Sequence, residues 1–159
     1  MTTDKVFSIV LISSMNLRFK SFTLIETLLT IGLITFLASI VIIAINPARQ
    51  FAQARNAERQ EDVTTILNAI YQNMAENGEW SCPVAIPTTT STLSHSDCDI
   101  CDCLVPTYIA EMPVDPVDGY YVDCNHYNTH YEIVKDPNTK RITVSAPDAE
   151  LGKTISATR

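Results

Sequence analysis

Residues 22–45 read FTLIETLLTIGLITFLASIVIIAI, and Glu26 is the only ionisable side chain in this apolar run. As an α-helix the run would be about 36 Å long, and the hydrocarbon core of a bilayer is about 30 Å thick. The run is also longer than the apolar core of a signal peptide, which has about 7–15 residues. We therefore predict a membrane-spanning helix over residues 22–45.

The rest of the chain is acidic. Residues 46–159 carry 16 acidic and 8 basic side chains, a net charge of −8, and the whole chain of 159 residues has a net charge of −7. An apolar content of 46% argues against a disordered chain. The composition predicts a membrane-anchored protein with an acidic extramembrane part, and disfavours both a freely soluble enzyme and a broad basic face for nucleic acid.

Glu26 needs an explanation, because a carboxylate inside a spanning segment is costly, up to about 2.5–3.5 kcal/mol at the helix centre on insertion scales. Residues 22–45 contain no Lys, Arg or His, so a cationic partner must come from outside this helix. One candidate is a free α-amino group, created by proteolysis just before Phe22 on the same chain or on a neighbour. Such a pair in a low dielectric would fix the axial register between packed helices.

Residues 18–29, RFKSFTLIETLL, closely resemble the cleavage and methylation signature of type IV pilins and type II secretion pseudopilins. The resemblance implies that prepilin peptidase cuts between Ser21 and Phe22 and that the new terminus is N-methylated. It also makes Glu26 the fifth mature residue, which is Glu in the family. Ser21 stands where the family usually has Gly. Because Ser is also small, we expect processing, at a lower rate.

The resemblance makes residues 1–21 a leader peptide. Residues 6–14 are mostly apolar, unlike a basic leader. A start at Met15 would leave seven residues before Phe22, including Arg18 and Lys20, which is a typical leader length for the family. We therefore predict that translation starts at Met15. The resemblance also implies a cytoplasmic leader and an extracytoplasmic head.

Residues 46–77 are predicted to be an amphipathic helix that ends at Gly78. Asn46-Pro47 can begin this helix or kink a continuous one, and by resemblance we favour one long, bent helix from about Thr23 to Asn77. A stripe with helical spacing should pack on a sheet; it comprises Val63, Ile66, Leu67, Ile70, Tyr71 and Met74.

The first half of this helix, residues 48–62, has Phe51 as its only large apolar residue. One interpretation is a solvated stalk. The favoured one is a subunit contact surface in a filament, where Arg49, Arg55 and Arg59 pair with acidic groups on neighbouring subunits.

Residues 78–159 are predicted to form a globular head. Residues 78–106 resemble an irregular, cysteine-rich loop, and three strands are predicted at residues 120–124, 130–135 and 141–146. A turn at residues 136–140 separates the last two strands. A long helix followed by an antiparallel sheet is an α+β fold, and this order matches the pilin architecture.

Five cysteines fall in the head, namely Cys82, Cys98, Cys101, Cys103 and Cys124. We favour two disulfides and one thiol, which allows 15 pairings; a bridge from Cys124 to the cluster at residues 98–103 would clamp the loop to the sheet. A zinc site is a less favoured alternative, built on the Cys98-x-x-Cys101 spacing with Cys103 and one of Cys82, Cys124 and His95. A redox-active CxxC and free thiols are weaker still.

Residues 113–121, PVDPVDGYY, resemble the segment before the sheet in pseudopilins, which holds calcium in major pseudopilins. Asp115, Asp118 and Asp123 could supply oxygen ligands. Turn formation by Asp beside Pro and Gly is the favoured explanation, and no cofactor is required. His95, His126 and His130 form no catalytic constellation, so we predict no enzyme.

The resemblance implies a structural subunit of a type IV pilus or pseudopilus. Its partners would be further copies of itself in a helical filament, minor pilins, prepilin peptidase and the inner-membrane assembly platform. The subunit would be a single-pass cytoplasmic-membrane protein, and after assembly part of a cell-surface or periplasmic filament. Two alternatives remain: a DNA-uptake pseudopilin, which the acidic head disfavours, and a membrane-anchored extracytoplasmic protein that binds metal or has redox activity.

Overall fold

The computed structural model describes residues 22–159, and the chain divides into two compact units between Ala44 and Ile45. Helix α1 spans Leu24–Ile45 and begins after Thr23, whose hydroxyl and carbonyl oxygens both accept from the Glu26 amide. Within α1 the hydroxyl groups donate to carbonyls three or four residues earlier, as at Thr27, Thr30, Thr35 and Ser39. The predicted apolar helix is therefore present, and these hydroxyl groups are satisfied within it.

Asn46 separates α1 from helix α2, which spans Pro47–Asn77. Asn46 has φ 50° and ψ 78°, in the left-handed region that Asn tolerates better than most residues, and its side chain accepts from the Arg49 amide. The prediction of one continuous, bent helix over residues 23–77 is thus corrected: Asn46 caps a second helix. Gly78, with φ 79°, ends α2 as predicted.

The head contains one antiparallel sheet in the order β1-β3-β4-β5, and β2 pairs with the start of β3. Asn128 of β3 pairs with both Ser94 of β1 and Tyr120 of β2, so β1 and β2 lie on opposite edges of β3. A short helix, α3, spans Cys101–Leu104. The strands are β1 Ser91–Ser94, β2 Tyr120–Asp123, β3 His126–Lys135, β4 Ile142–Ala146 and β5 Ile155–Thr158.

The core lies between α2 and the sheet. Val63, Ile66 and Ile70 of α2 are fully buried, together with alternate residues of the strands such as Ile133 and Val144. Each such side chain contributes about 1.5–3 kcal/mol of hydrophobic stabilisation relative to an exposed position. The α+β architecture and the packing of the predicted stripe on the sheet are confirmed.

All three predicted strands are present, and so is the turn at residues 136–140, where the Lys140 amide donates to the Asp136 carbonyl. Two strands were not predicted. Strand β1 and helix α3 lie in the segment expected to be irregular, and β5 lies in the C-terminal residues. Both strands are four residues long, and their single buried aliphatic residues, Leu93 and Ile155, give too little periodicity to recognise.

Candidate functional site

The surface of α1 is the largest apolar feature of the residues that the structure describes. Each of its large apolar side chains is more than half exposed within the chain, and its mean hydropathy is 2.8. In residues 22–159 it is the one helix long and apolar enough to cross a membrane. An apolar surface of this size needs a lipid or protein partner.

Glu26 lies in the first turn of α1, where the partial positive charge of the helix N-terminus favours a carboxylate. Phe22, which the sequence predicts to be the mature N-terminus, precedes the helix and is 74% exposed. Ser21, the rest of the predicted leader and the predicted start at Met15 lie outside the described residues. The structure therefore locates Phe22 just before α1 and Glu26 in its first turn. Cleavage between Ser21 and Phe22 stays a prediction.

The three arginines predicted to contact neighbouring subunits have three different environments. Arg49 is exposed. Arg55 forms a two-point ion pair with Glu150, with Nη2 at 2.9 Å and Nε at 3.1 Å from Oε1, and both side chains are about one-third exposed. Arg59 is buried. The prediction of Arg59 as a subunit contact is therefore wrong, and Arg55 already has a partner inside its own head.

Arg59 is buried against Asp115, and each side chain is 1% exposed. Its Nε donates to Asp115 Oδ2 at 2.6 Å and its Nη2 donates to Oδ1 at 3.1 Å. The hydrogen bond to Asp115 raises the pKa of Arg59 and outweighs desolvation. Burial pushes the pKa of Asp115 up, but hydrogen bonds from Arg59 and from the amides of Val117 and Asp118 bring it below its usual value. Both groups are charged at neutral pH.

Asp115 also shapes the turn before β2. Its Oδ1 accepts from the amides of Val117 at 2.9 Å and Asp118 at 3.2 Å, and its carbonyl accepts from Gly119 at 3.0 Å. A Cβ at Gly119 would lie 2.5 Å from the Asp115 nitrogen, so the turn requires glycine there. The favoured turn-forming role of Asp115 is confirmed.

The predicted calcium ligands Asp115, Asp118 and Asp123 do not come together. In residues 22–159 no group of three or more His, Cys, Asp or Glu side chains is arranged to hold a metal ion. The Asp115 carboxylate is fully occupied by Arg59 and the turn amides, and Asp123 accepts from the Asn125 amide. The structure therefore corrects this set from a ligand group to three separate carboxylates.

Sequence reasoning missed a second buried polar contact. The Asn56 side-chain amide donates to the Glu150 carbonyl at 2.8 Å, and its oxygen accepts from the Glu150 amide at 2.9 Å. Asn56 is 3% exposed. A signal existed: Ala52, Asn56 and Arg59 continue, at helical spacing, the buried stripe that begins at Val63. Residues 48–62 are therefore packed against the head along one face, and are not a stalk solvated all round.

Two disulfides form, Cys82–Cys103 and Cys101–Cys124. The second joins helix α3 to the end of β2, so the predicted clamp between loop and sheet is confirmed. Four of the five sulfurs are in these disulfides and are not free to bind zinc, which contradicts the predicted zinc site. Cys98 is not bonded to Cys101, which contradicts the redox-active CxxC. Cys98 is a buried thiol, and burial, with Asp99 and Asp97 adding, raises its pKa to about 11.

Comparison of the chain with protein-family models, with curated proteins and with solved structures gave no match. The candidate functional residues are therefore identified from the sequence and the structure of this chain alone. Two separate features are candidates: the apolar helix α1 with Glu26 in its first turn, and the head, in which Asn56 and Arg59 of α2 contact Glu150 and Asp115. The exposed apolar surface of α1 can support association with a membrane or with other chains.

Proposed function

We propose that this chain is a structural subunit of a type IV pilus or pseudopilus that assembles through its N-terminal helix. The observation that carries the proposal is α1: 22 residues long, exposed on every side, with Glu26 as its only ionisable group. The sequence around it adds support, because a short basic segment, Phe22 and Glu26 occur at the spacing of the prepilin signature.

In this proposal α1 first anchors the subunit in the cytoplasmic membrane, with the head outside. Prepilin peptidase removes the leader and leaves the α-amino group of Phe22. That amine then pairs with Glu26 of a neighbouring subunit, which offsets the cost of a carboxylate in an apolar environment and sets the axial register. The apolar side chains of α1 pack with those of other copies in the filament core, after extraction by the assembly platform.

The head contributes stiffness to such a subunit. Two disulfides join its loops to helix α3 and to the end of β2, and the Arg59–Asp115 pair and the Asn56–Glu150 contact join its loops to α2. A DNA-binding role is less well supported, because two of the three arginines that it would use are engaged within the head and residues 46–159 have a net charge of −8.

The proposal is tested by the intact mass and N-terminal sequence of the native protein extracted from membranes. The expected result is a chain that begins at N-methylated Phe22. Ser21→Asp should block processing, and Ser21→Gly, which restores the usual family residue, should process at least as fast as the native chain. An uncut terminus in the native protein would overturn the assignment and leave a plain membrane anchor.

A further inference from the structure

The head has a polar cleft of about 140 Å³ between the segment that follows β1 and the hairpin formed by β2 and β3. Its lining contains two serines, two histidines, two tyrosines and two asparagines. Clefts that bury drug-sized ligands measure about 300–1,000 Å³, so this cleft has room for a single small ring or a part of a larger ligand.

The lining side chains are all hydrogen-bonding groups without a permanent charge. Hydroxyl and amide groups both donate and accept, and a neutral imidazole has one nitrogen of each kind. Two carboxylates do not line the cleft but accept hydrogen bonds from residues that do. Asp99 accepts from His95 and Tyr127, and Asp123 accepts from the Asn125 amide. The negative charges of these two carboxylates disfavour binding of an anion. No carboxylate lines the cleft itself, so a cation has no charged ligand there. The chemistry favours a neutral ligand rich in hydroxyl groups.

Tyr120 gives the cleft an apolar surface. It lines the cleft, and the residue is 46% exposed. The ring lies 5.3 Å from the His126 ring, centroid to centroid, at an interplanar angle of 70°. An aromatic ring beside donors and acceptors suits a pyranose, which has an apolar face of C–H groups and a rim of hydroxyls.

The cleft is held in shape before any ligand arrives. The Cys101–Cys124 disulfide fixes the β2–β3 hairpin, and Asp99 lies 2.9 Å from both His95 Nδ1 and Tyr127 Oη. In a neutral imidazole, an Nδ1 that donates to Asp99 leaves Nε2 as an acceptor. A pre-ordered site loses little entropy on binding, so a small contact area can suffice for measurable affinity.

From these observations we propose that the cleft binds one uncharged pyranose unit of a glycan, with Tyr120 against the ring face and Asn125, His126 and Asn128 at its hydroxyls. The proposal is independent of filament assembly, because it uses residues of the head alone.

The test uses the full chain, extracted in a detergent without a sugar headgroup, such as lauryldimethylamine oxide. Saturation-transfer NMR is recorded with the methyl glycosides of glucose, galactose and N-acetylglucosamine, and with acyclic mannitol. We expect saturation transfer to the ring protons of at least one pyranoside and none to mannitol. Tyr120→Ala should weaken that binding by about tenfold or more.

Val122→Ala is the matched control, because Val122 lies on the same strand, is 66% exposed and does not line the cleft. It should bind like the native chain, and both variants should retain the two disulfides by intact mass. Binding of none of the three pyranosides, equal binding by Tyr120→Ala, or binding of inorganic phosphate without any sugar would each overturn the proposal. Binding of mannitol as strongly as the pyranosides would refute the role assigned to the Tyr120 ring.

Discussion

Arg59 of α2 and Asp115 of the turn before β2, 56 positions apart in sequence, form a two-point ion pair that is almost completely withdrawn from solvent. The same Asp115 oxygen that accepts from Nη2 also accepts from the amides of Val117 and Asp118. One carboxylate thus neutralises a buried cation, orders a turn and attaches that turn to the helix.

Asp115→Asn should leave the Arg59 charge buried without a counter-ion. Removing one partner of a buried pair lowers the free energy of unfolding by about 3–5 kcal/mol. The measurement is urea unfolding of the full chain in detergent, followed by the fluorescence of Trp80, the only tryptophan, which packs partly against the core. The control is Asp118→Asn, because Asp118 is the exposed acid in the same turn. Equal stability of the two variants would contradict the assigned role.

Asp62 should respond to pH in the sense opposite to Asp115. Burial raises the pKa of Asp62, the Tyr131 hydroxyl at 2.7 Å lowers it in part, and Glu58 and Glu61 add to the rise. The native state therefore binds more protons than the unfolded state, and the free energy of unfolding falls as pH rises from about 3.9 through the native pKa. The depressed pKa of Asp115 makes stability fall as pH decreases through that pKa.

Asp62→Asn removes the ionisable group and keeps an oxygen for the Tyr131 hydroxyl. It should raise the free energy of unfolding at pH 7 and leave it nearly unchanged at pH 3, where Asp62 is protonated in both states. Urea unfolding at the two pH values measures this, and the exposed Glu111→Gln serves as the matched loss of one negative charge. A loss of stability at pH 7 would refute the prediction.

Asn56→Ala should lower the free energy of unfolding by about 2–6 kcal/mol. It removes both hydrogen bonds to the Glu150 main chain, and each partly buried group left without a partner costs about 1–3 kcal/mol. Asn68→Ala is the control, because Asn68 is an exposed asparagine on the same helix. The urea midpoints of the two variants and the native chain are compared, and a shift no larger than that of Asn68→Ala would show that water replaces the contact.

The five cysteines should give three different counts with iodoacetamide. The native chain at pH 8 should take no label, because Cys98 is 2% exposed and, with a pKa of about 11, has a thiolate fraction on the order of one part in a thousand. Denatured without reduction, the chain should take one label, and after reduction five, as intact mass reports. More than one label without reduction would disprove one of the two bridges.

Glu26→Gln should leave membrane insertion and cleavage intact and strongly reduce filament yield, because the amide cannot neutralise the α-amino group of Phe22. The yield of sheared filaments is compared with the amount of mature subunit in membranes. Glu58→Gln, on the exposed face of α2, is the matched control and should assemble normally. Normal filaments from Glu26→Gln would remove the register role from this carboxylate.

Several features follow from the sequence because they depend on local chemistry. The apolar run predicts α1 from its length and composition, and the spacing from Val63 to Met74 predicts the buried face of α2. Gly78 and residues 136–140 predict the end of a helix and a turn, because few residue types adopt those backbone conformations. The five cysteines limit the chain to two disulfides at most, but their number does not determine which cysteines pair.

Only the tertiary structure shows which residues the buried polar side chains of α2 contact. Arg59 and Asn56 occupy core positions of a helix whose polar residues suggested an outward-facing surface. Whether such a side chain is buried depends on a partner 56 or 94 positions away, and no local pattern contains that information. The same holds for β1 and β5, whose four residues become strands by pairing with β3 and β4. A buried polar group is stable only where its partner is already in place. Local sequence therefore determines the long helices and the predicted strands, and long-range packing determines the two short strands and the polar residues that join the elements.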